Sequence, residues 1–315
     1  MNRKVSVLIP AYNEQDSVKQ LYDQIIDSIN IMKKQEQASD YEIWFVNDGS
    51  TDGTEKAILD LTTKDDKVHI ISFRKNFGKS IALQTGFQHV EGDLVFTLDA
   101  DLQDDPAEFS RFVEKIDEGY DMVVGWKFNR LDPLEKRLPS KLFNAVTSAN
   151  SGVKLHDFDC GFKCFKIEVV RAIDLYGELH RYIPVLAQRK GFRITEITVN
   201  HRSREHGRSK YGMERYMRGL LDSLTTTFLL KYSDRPMYFF GRIGLLTGFI
   251  GFVICLFLTV LWFMGQKIGG RPLLVLGVLL VVVGIQFIST GFVCNIVVDR
   301  YFRASYDESH VKTII

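Results

Sequence analysis

Two long uncharged stretches constrain this chain more than any other feature. Ile243–Met264 runs for 22 residues, and Leu273–Val298 for 26, without an Asp, Glu, Lys or Arg. About 20 apolar residues cross a bilayer as a helix, and a helix satisfies its own backbone polar groups there. One such stretch fits the buried core helix of a soluble protein. Two in tandem, joined by the short Gly265–Pro272 loop, predict a helical hairpin in the membrane, with spans at about 239–264 and 272–298. Lys231, Arg235 and Arg242 precede the first span, Arg300 and Arg303 follow the second, and Lys267 and Arg271 lie between. That excess of outer basic residues places both termini on the cytoplasmic side. Gly244, Gly248 and Gly251 give the first span a surface suited to close helix association, including association into a homo-oligomer.

Up to about Tyr232 the chain carries charges throughout and reads as a soluble domain. The net charge of +1 supplies no basic excess, and no nucleic-acid partner is expected. The first apolar run, Val5 to Pro10, is too short for a signal peptide. Of the four cysteines, Cys255 and Cys294 fall within the spans, and Cys160 and Cys164 are too few for a four-cysteine zinc site. They fit a reducing compartment and a packing role.

The first 130 residues alternate strand and helix signals. Strands are expected at Val5–Ile9, Tyr41–Val46, Val68–Phe73, Leu94–Leu98 and Met122–Gly125, and helices at Ser17–Met32, Thr54–Leu61, Ser80–His89 and Pro106–Ile116. This pattern predicts an α/β domain, a mostly parallel sheet with helices on both faces. Ligands of such sheets bind beyond the carboxyl ends of the strands. Those ends read Pro10-Ala-Tyr-Asn-Glu14, Asn47-Asp-Gly-Ser50 and Asp99-Ala-Asp101. Asp99 and Asp101 stand two apart at the end of an apolar run, where extended backbone turns both carboxylates to one face. Alone, the pair reads first as a solvated acidic turn capping the next helix. With Glu14 and Asp48 on the same sheet edge, it reads as a site where a hard cation bridges a diphosphate, as Mg²⁺ does with one or two carboxylates. Further on, Tyr216, Leu220, Leu224 and Phe228 recur every four residues, an amphipathic helix that lies at the membrane interface or packs on the soluble domain.

Together these motifs resemble a known family. Val7-Leu-Ile-Pro-Ala-Tyr-Asn-Glu14, Asn47-Asp-Gly-Ser-Thr-Asp52, Asn76-Phe-Gly-Lys79 and Asp99-Ala-Asp-Leu-Gln103 resemble the family 2 inverting glycosyltransferases of GT-A, Rossmann-like fold. Asp157-Phe-Asp-Cys-Gly-Phe-Lys163 and Arg204-Glu-His-Gly-Arg-Ser-Lys-Tyr211 resemble the branch that loads a sugar onto a polyprenyl phosphate, which includes dolichol-phosphate mannose synthases and bacterial bactoprenol glucosyltransferases. The resemblance covers nearly the whole chain, in order.

The resemblance implies a nucleotide-sugar site of Pro10, Ala11, Tyr12, Glu14, Asp48, Lys79, Asp99, Ala100 and Asp101. It implies Mg²⁺ or Mn²⁺ as cofactor, held at Asp99, Asp101 and Gln103. It assigns Arg130, Arg204, Ser209 and Lys210 to the acceptor phosphate, and Asp101 and Asp157 to catalysis. Asp157 acts as a base or positions the acceptor; a phosphate monoester is already largely ionised at neutral pH, so no strong base is required. The implied reaction moves a hexose, glucose first, from a UDP-linked donor to undecaprenyl phosphate with inversion. The expected organisation is a cytoplasmic catalytic domain at 1–212, an amphipathic juxtamembrane helix at 213–236, two spans within 237–300 and a cytoplasmic tail at 301–315, in a bacterial inner membrane. The processive synthase motif Gln-x-x-Arg-Trp is absent from the sequence. A non-catalytic sugar-nucleotide-binding protein, or a transferase with another sugar or acceptor, are the rival readings.

Overall fold

The computed structural model describes residues 3–128, 152–200 and 235–304, together with positions 144, 147, 148, 202, 228 and 232. These fall into two compact units that meet in sequence near residue 223.

The first unit is built on a seven-stranded sheet. Its strands are β1 (Lys4–Ala11), β2 (Asp40–Asn47), β3 (Val68–Ser72), β4 (Leu94–Thr97), β5 (Met122–Lys127), β6 (Lys163–Lys166) and β7 (Ile194–Val199). Their order across the sheet is β3-β2-β1-β4-β6-β5-β7. β1 pairs in parallel with both β2 and β4, β2 with β3, and β5 with β7, while β6 runs antiparallel to β4 and β5. The helices are α1 (Val18–Lys34), α2 (Thr54–Thr62), α3 (Lys79–His89), α4 (Phe109–Asp117), α5 (Ile167–Ala172) and α6 (Ile183–Arg189). Val5, Val7, Leu8 and Ile9 of β1 have no exposed surface, as expected for a central parallel strand covered on both faces. Each of the nine elements expected up to Gly125 is present, with ends shifted by a few residues. The residues from Pro106 divide into a 3₁₀ turn, Pro106–Glu108, and α4.

An aromatic cluster fastens the antiparallel insertion to the parallel sheet. Phe96 of β4 stacks on Phe109 with ring centroids 4.2 Å apart, and Phe112 lies 4.4 Å from Phe162 at the entry to β6. All four are fully buried. β6 contributes only Cys164 and Phe165 between two lysines, which is why it carries no strand signal of its own. Cys160 and Cys164 are buried free thiols, consistent with a packing role.

The second unit is a pair of helices, α7 (Met237–Phe263) and α8 (Pro272–Ala304). Both are long and apolar enough to cross a membrane, with mean hydropathies of 2.5 and 2.6 over their most apolar windows. Only 17% and 11% of those windows is buried, so neither is an ordinary core helix. The glycines meet within the pair: a Cβ on Gly284 would stand 2.6 Å from the Gly248 nitrogen, and one on Gly251 2.7 Å from the Gly277 carbonyl oxygen. The small-residue surface expected to serve association is therefore used at least in part inside the hairpin. Gly284→Leu forces the backbones apart and is expected to destabilise the hairpin by about 1–3 kcal/mol. Thermal unfolding of the purified protein in detergent tests this, and an unchanged midpoint rejects the close crossing.

Candidate active site

The loops after the parallel strands are laced together at the carboxyl edge of the sheet. After β1, Asn13 takes a left-handed turn (φ 57°), its N–H donates to Ser50 Oγ at 3.0 Å, and its Oδ1 accepts the Thr51 N–H at 2.8 Å. The Glu14 N–H donates to Thr54 Oγ1 at 2.8 Å. The loop after β2 is joined in turn to the loop after β3. Asp48, buried at the end of β2, accepts the N–H of Phe77 at 2.7 Å and that of Gly78 at 3.0 Å. Gly49 allows this approach: its φ is 68°, and a Cβ there would lie 2.3 Å from the Lys75 carbonyl carbon. That clamp sets the start of α3, where Lys79 forms an ion pair with Asp99 just beyond β4.

Two further contacts extend the edge. Gly161 lies so close to Asp99 that a Cβ would stand 2.7 Å from Oδ2, which explains the glycine in the Asp157–Lys163 motif. Asp104, with no exposed surface, pairs with Lys127 at the end of β5 at 2.8 Å. Lys127 has its ammonium turned inward to that carboxylate.

The two edge aspartates sit in opposite fields. Burial penalises the Asp99 charge, but Lys79, Lys127 and Lys163 outweigh it and hold the carboxyl at about 2. Burial and the negative charges of Asp99 and Asp104 push Asp101 up to about 6. The turn after Asp101 holds Leu102 in the left-handed region (φ 62°) with its side chain buried, and the Gln103 N–H donates to Asp101 Oδ1 at 3.2 Å. A nonglycine residue in this conformation is uncommon and occurs at functional turns. Among the described residues there is no group of three or more His, Cys, Asp or Glu side chains that could hold a metal ion. The repulsion at Asp101 nevertheless fits a divalent cation with few protein ligands, for which Asp99, Asp101 and the Gln103 amide beside them are the available donors.

Pro10, Ala11, Tyr12, Glu14, Asp48, Lys79, Asp99, Ala100, Asp101 and Gln103 all stand on this edge or the turns that leave it. Tyr12 is exposed, and Ala11 and Ala100 are buried. Asp157 is buried in the segment entering β6, within electrostatic reach of Cys160 and Lys163. Its neighbour His156 is more than a plain surface residue: it stacks on Trp126 at 4.0 Å and pairs with Glu196. Arg130, Arg204, Ser209 and Lys210, and the amphipathic segment at 213–236 up to Asp234, lie outside the described residues apart from positions 228 and 232. The sequence reading missed Asp104, Lys163 and His180. Lys163 is buried, donates to the Cys160 carbonyl, and is pushed by burial below the usual lysine range.

The sheet order and its acidic carboxyl edge are those of the GT-A fold. The chain belongs to glycosyl transferase family 2, whose profile matches residues 6–174. It is 34% identical over 314 residues to a dodecaprenyl-phosphate galacturonate synthase of Rhizobium johnstonii, covering 98% of this chain and 91% of that protein. It is 36% identical over 291 residues to an undecaprenyl-phosphate 4-deoxy-4-formamido-L-arabinose transferase of Edwardsiella ictaluri, covering 91% and 86%. Among solved structures, glucosyl-3-phosphoglycerate synthase of Mycobacterium tuberculosis, in complex with Mn²⁺, uridine diphosphate and phosphoglyceric acid, superposes with a TM-score of 0.54 at 18% identity, over 71% of this chain and 78% of that one. At that identity the likeness concerns the fold.

Proposed function

We propose that this protein transfers a sugar from a UDP-linked donor to a polyprenyl phosphate, undecaprenyl phosphate in a bacterial inner membrane, with inversion at the anomeric carbon. The observation that carries the reading is one chain holding both an acidic GT-A edge and two helices of membrane-spanning length. The names of the two relatives, both polyprenyl-phosphate sugar transferases, support the acceptor. Their sugars differ from each other, so the sugar is the open variable, and glucose is the first donor to test.

In this reading Tyr12 and Asp48 hold the nucleoside, and Asp99, Asp101 and Gln103 hold Mg²⁺ or Mn²⁺ at the diphosphate. The Mn²⁺ and uridine diphosphate of the mycobacterial synthase support that pairing. The cation, when bound, offsets the charge that develops on the leaving diphosphate. Arg130, Arg204, Ser209 and Lys210 receive the lipid phosphate on the cytoplasmic side, with Arg suited to paired phosphate contacts and Lys to a point charge. The ionised phosphate oxygen attacks the anomeric carbon, the bond to the diphosphate breaks, and the products are a polyprenyl-phosphate sugar and UDP. Asp157 positions the acceptor, because that oxygen needs little help to lose its proton.

The test is the purified full-length protein with undecaprenyl phosphate and a panel of UDP-sugars, UDP-glucose and UDP-galacturonate among them. One donor is expected to give lipid-linked sugar and UDP in equal amounts. No product across the panel rejects the acceptor or the donor class. Lys210→Ala is expected to raise the KM for the lipid roughly ten-fold or more, with the donor KM unchanged.

A further inference from the structure

A cavity lies directly behind Asp99, between the end of β1, the start of α3 and the entry to β6. Its polar lining is Lys79, Thr97, Asp99, Asp159, Lys163 and His180. His180 comes from the 3₁₀ turn Leu179–Tyr182 that precedes α6, far in sequence from the acidic motifs. Neither the nucleotide reading nor the cation reading uses it.

Ser80, the second residue of α3, pins this histidine twice. Ser80 Oγ accepts the His180 backbone N–H at 3.1 Å and stands 2.9 Å from its Nδ1. Ser80 is 1% exposed, and its hydroxyl proton has no other acceptor among the described residues. The hydroxyl therefore donates to Nδ1, and the ring proton is on Nε2. Nε2 takes no partner among the described residues. Burial, and then the positive charge of Lys79, depress the ring to about 3, so at neutral pH it is an uncharged donor in this fixed tautomer.

The cavity has room for one water-sized group, about 10 Å³, so it admits a single ring substituent and not a ring. A hydroxyl there both accepts and donates, which suits the unengaged Nε2–H of His180 beside the carboxylates of Asp99 and Asp159. It adjoins Asp99, which in the reading above faces the donor diphosphate. A group that reaches it from that diphosphate is a substituent of the sugar the diphosphate carries.

We propose that His180 reads the transferred sugar: its Nε2–H, held in place by Ser80, donates to a ring-substituent oxygen of the donor in the cavity behind Asp99. The proposal rests on the donor-site reading and deepens it. It makes His180 a specificity-determining residue, with Ser80 as its positioning partner.

Two near-isosteric variants separate this role from a structural one. His180→Asn keeps a polar atom near the Nδ1 position, facing Ser80, and removes the cavity donor. His180→Gln places an amide N–H near the Nε2 position and gives up the Ser80 contact. With the donor that wild type uses in the panel, His180→Asn is expected to lower kcat/KM about ten-fold or more, and His180→Gln to recover most of that loss. UDP alone, measured by calorimetry, is expected to bind both variants as it binds wild type, which also reports that each is folded. The proposal is overturned if His180→Asn turns over its donor like wild type, if His180→Gln is the more damaged of the two, or if UDP and UDP-sugar binding weaken equally. A wild type that uses no UDP-sugar overturns the donor reading itself, a separate result.

Discussion

Asp101→Asn is expected to lower turnover by about a thousand-fold while leaving the protein as stable as wild type or more so. The two halves of that expectation have one cause. Burial and the charges of Asp99 and Asp104 push the Asp101 carboxyl up to about 6, so its ionised form is disfavoured in the folded protein. A carboxyl whose folded value lies above its unfolded value costs stability once the pH exceeds the unfolded value, and that cost is fully present above the folded one. Asparagine removes the cost at neutral pH. It also removes the negative charge that a cation and its diphosphate require. Activity with the preferred UDP-sugar, read beside the thermal midpoint and the affinity for Mn²⁺, tests both halves. Near-normal turnover removes Asp101 from the cation site, and a sharply lowered midpoint shows that it has a packing role instead.

The elements that carry the donor half were legible because each announced itself locally. β1, β2 and β4 are buried parallel strands with near-continuous apolar runs, and each run ends abruptly in polar residues. Convergence followed from the rule that parallel strands present like ends to one edge. What the sequence concealed was made by residues distant along the chain. β6 is four residues long and antiparallel, so neither length nor periodicity marked it. Its insertion beside β4 brings Gly161 against Asp99 and puts Lys163 into the cavity. Ser80 and His180 meet across 100 positions, and Asp104 and Lys127 across 23, without any motif of short spacing. Charge alone does not reveal the role of Lys127, since a basic residue after a strand looks the same in sequence whether it turns toward solvent or toward a buried carboxylate.

That buried pair gives the largest expected effect on folding. Asp104 is fully buried and the Lys127 side chain is 11% exposed, with Nζ 2.8 Å from Oδ1. Two charges removed from water carry a desolvation cost of several kcal/mol each, which their attraction and hydrogen bonding must offset. Burial lowers the Lys127 ammonium, but Asp104 and, further off, Asp99 reverse this and raise it well above the usual lysine range. Asp104→Ala leaves that ammonium without its partner and is expected to cost about 3–5 kcal/mol in denaturant unfolding. The double variant with Lys127→Met removes both charges, fills the space with an apolar chain, and is expected to recover more than half of the loss. The pair also tunes the catalytic edge, because Asp104 raises Asp101 while Lys127 lowers both Asp99 and Asp101. Removing the two together takes away opposing influences on Asp101, so the double variant is expected to keep more activity than either single change. A loss under about 1 kcal/mol in Asp104→Ala, or a double variant as unstable as the single, means that the two side chains are not coupled.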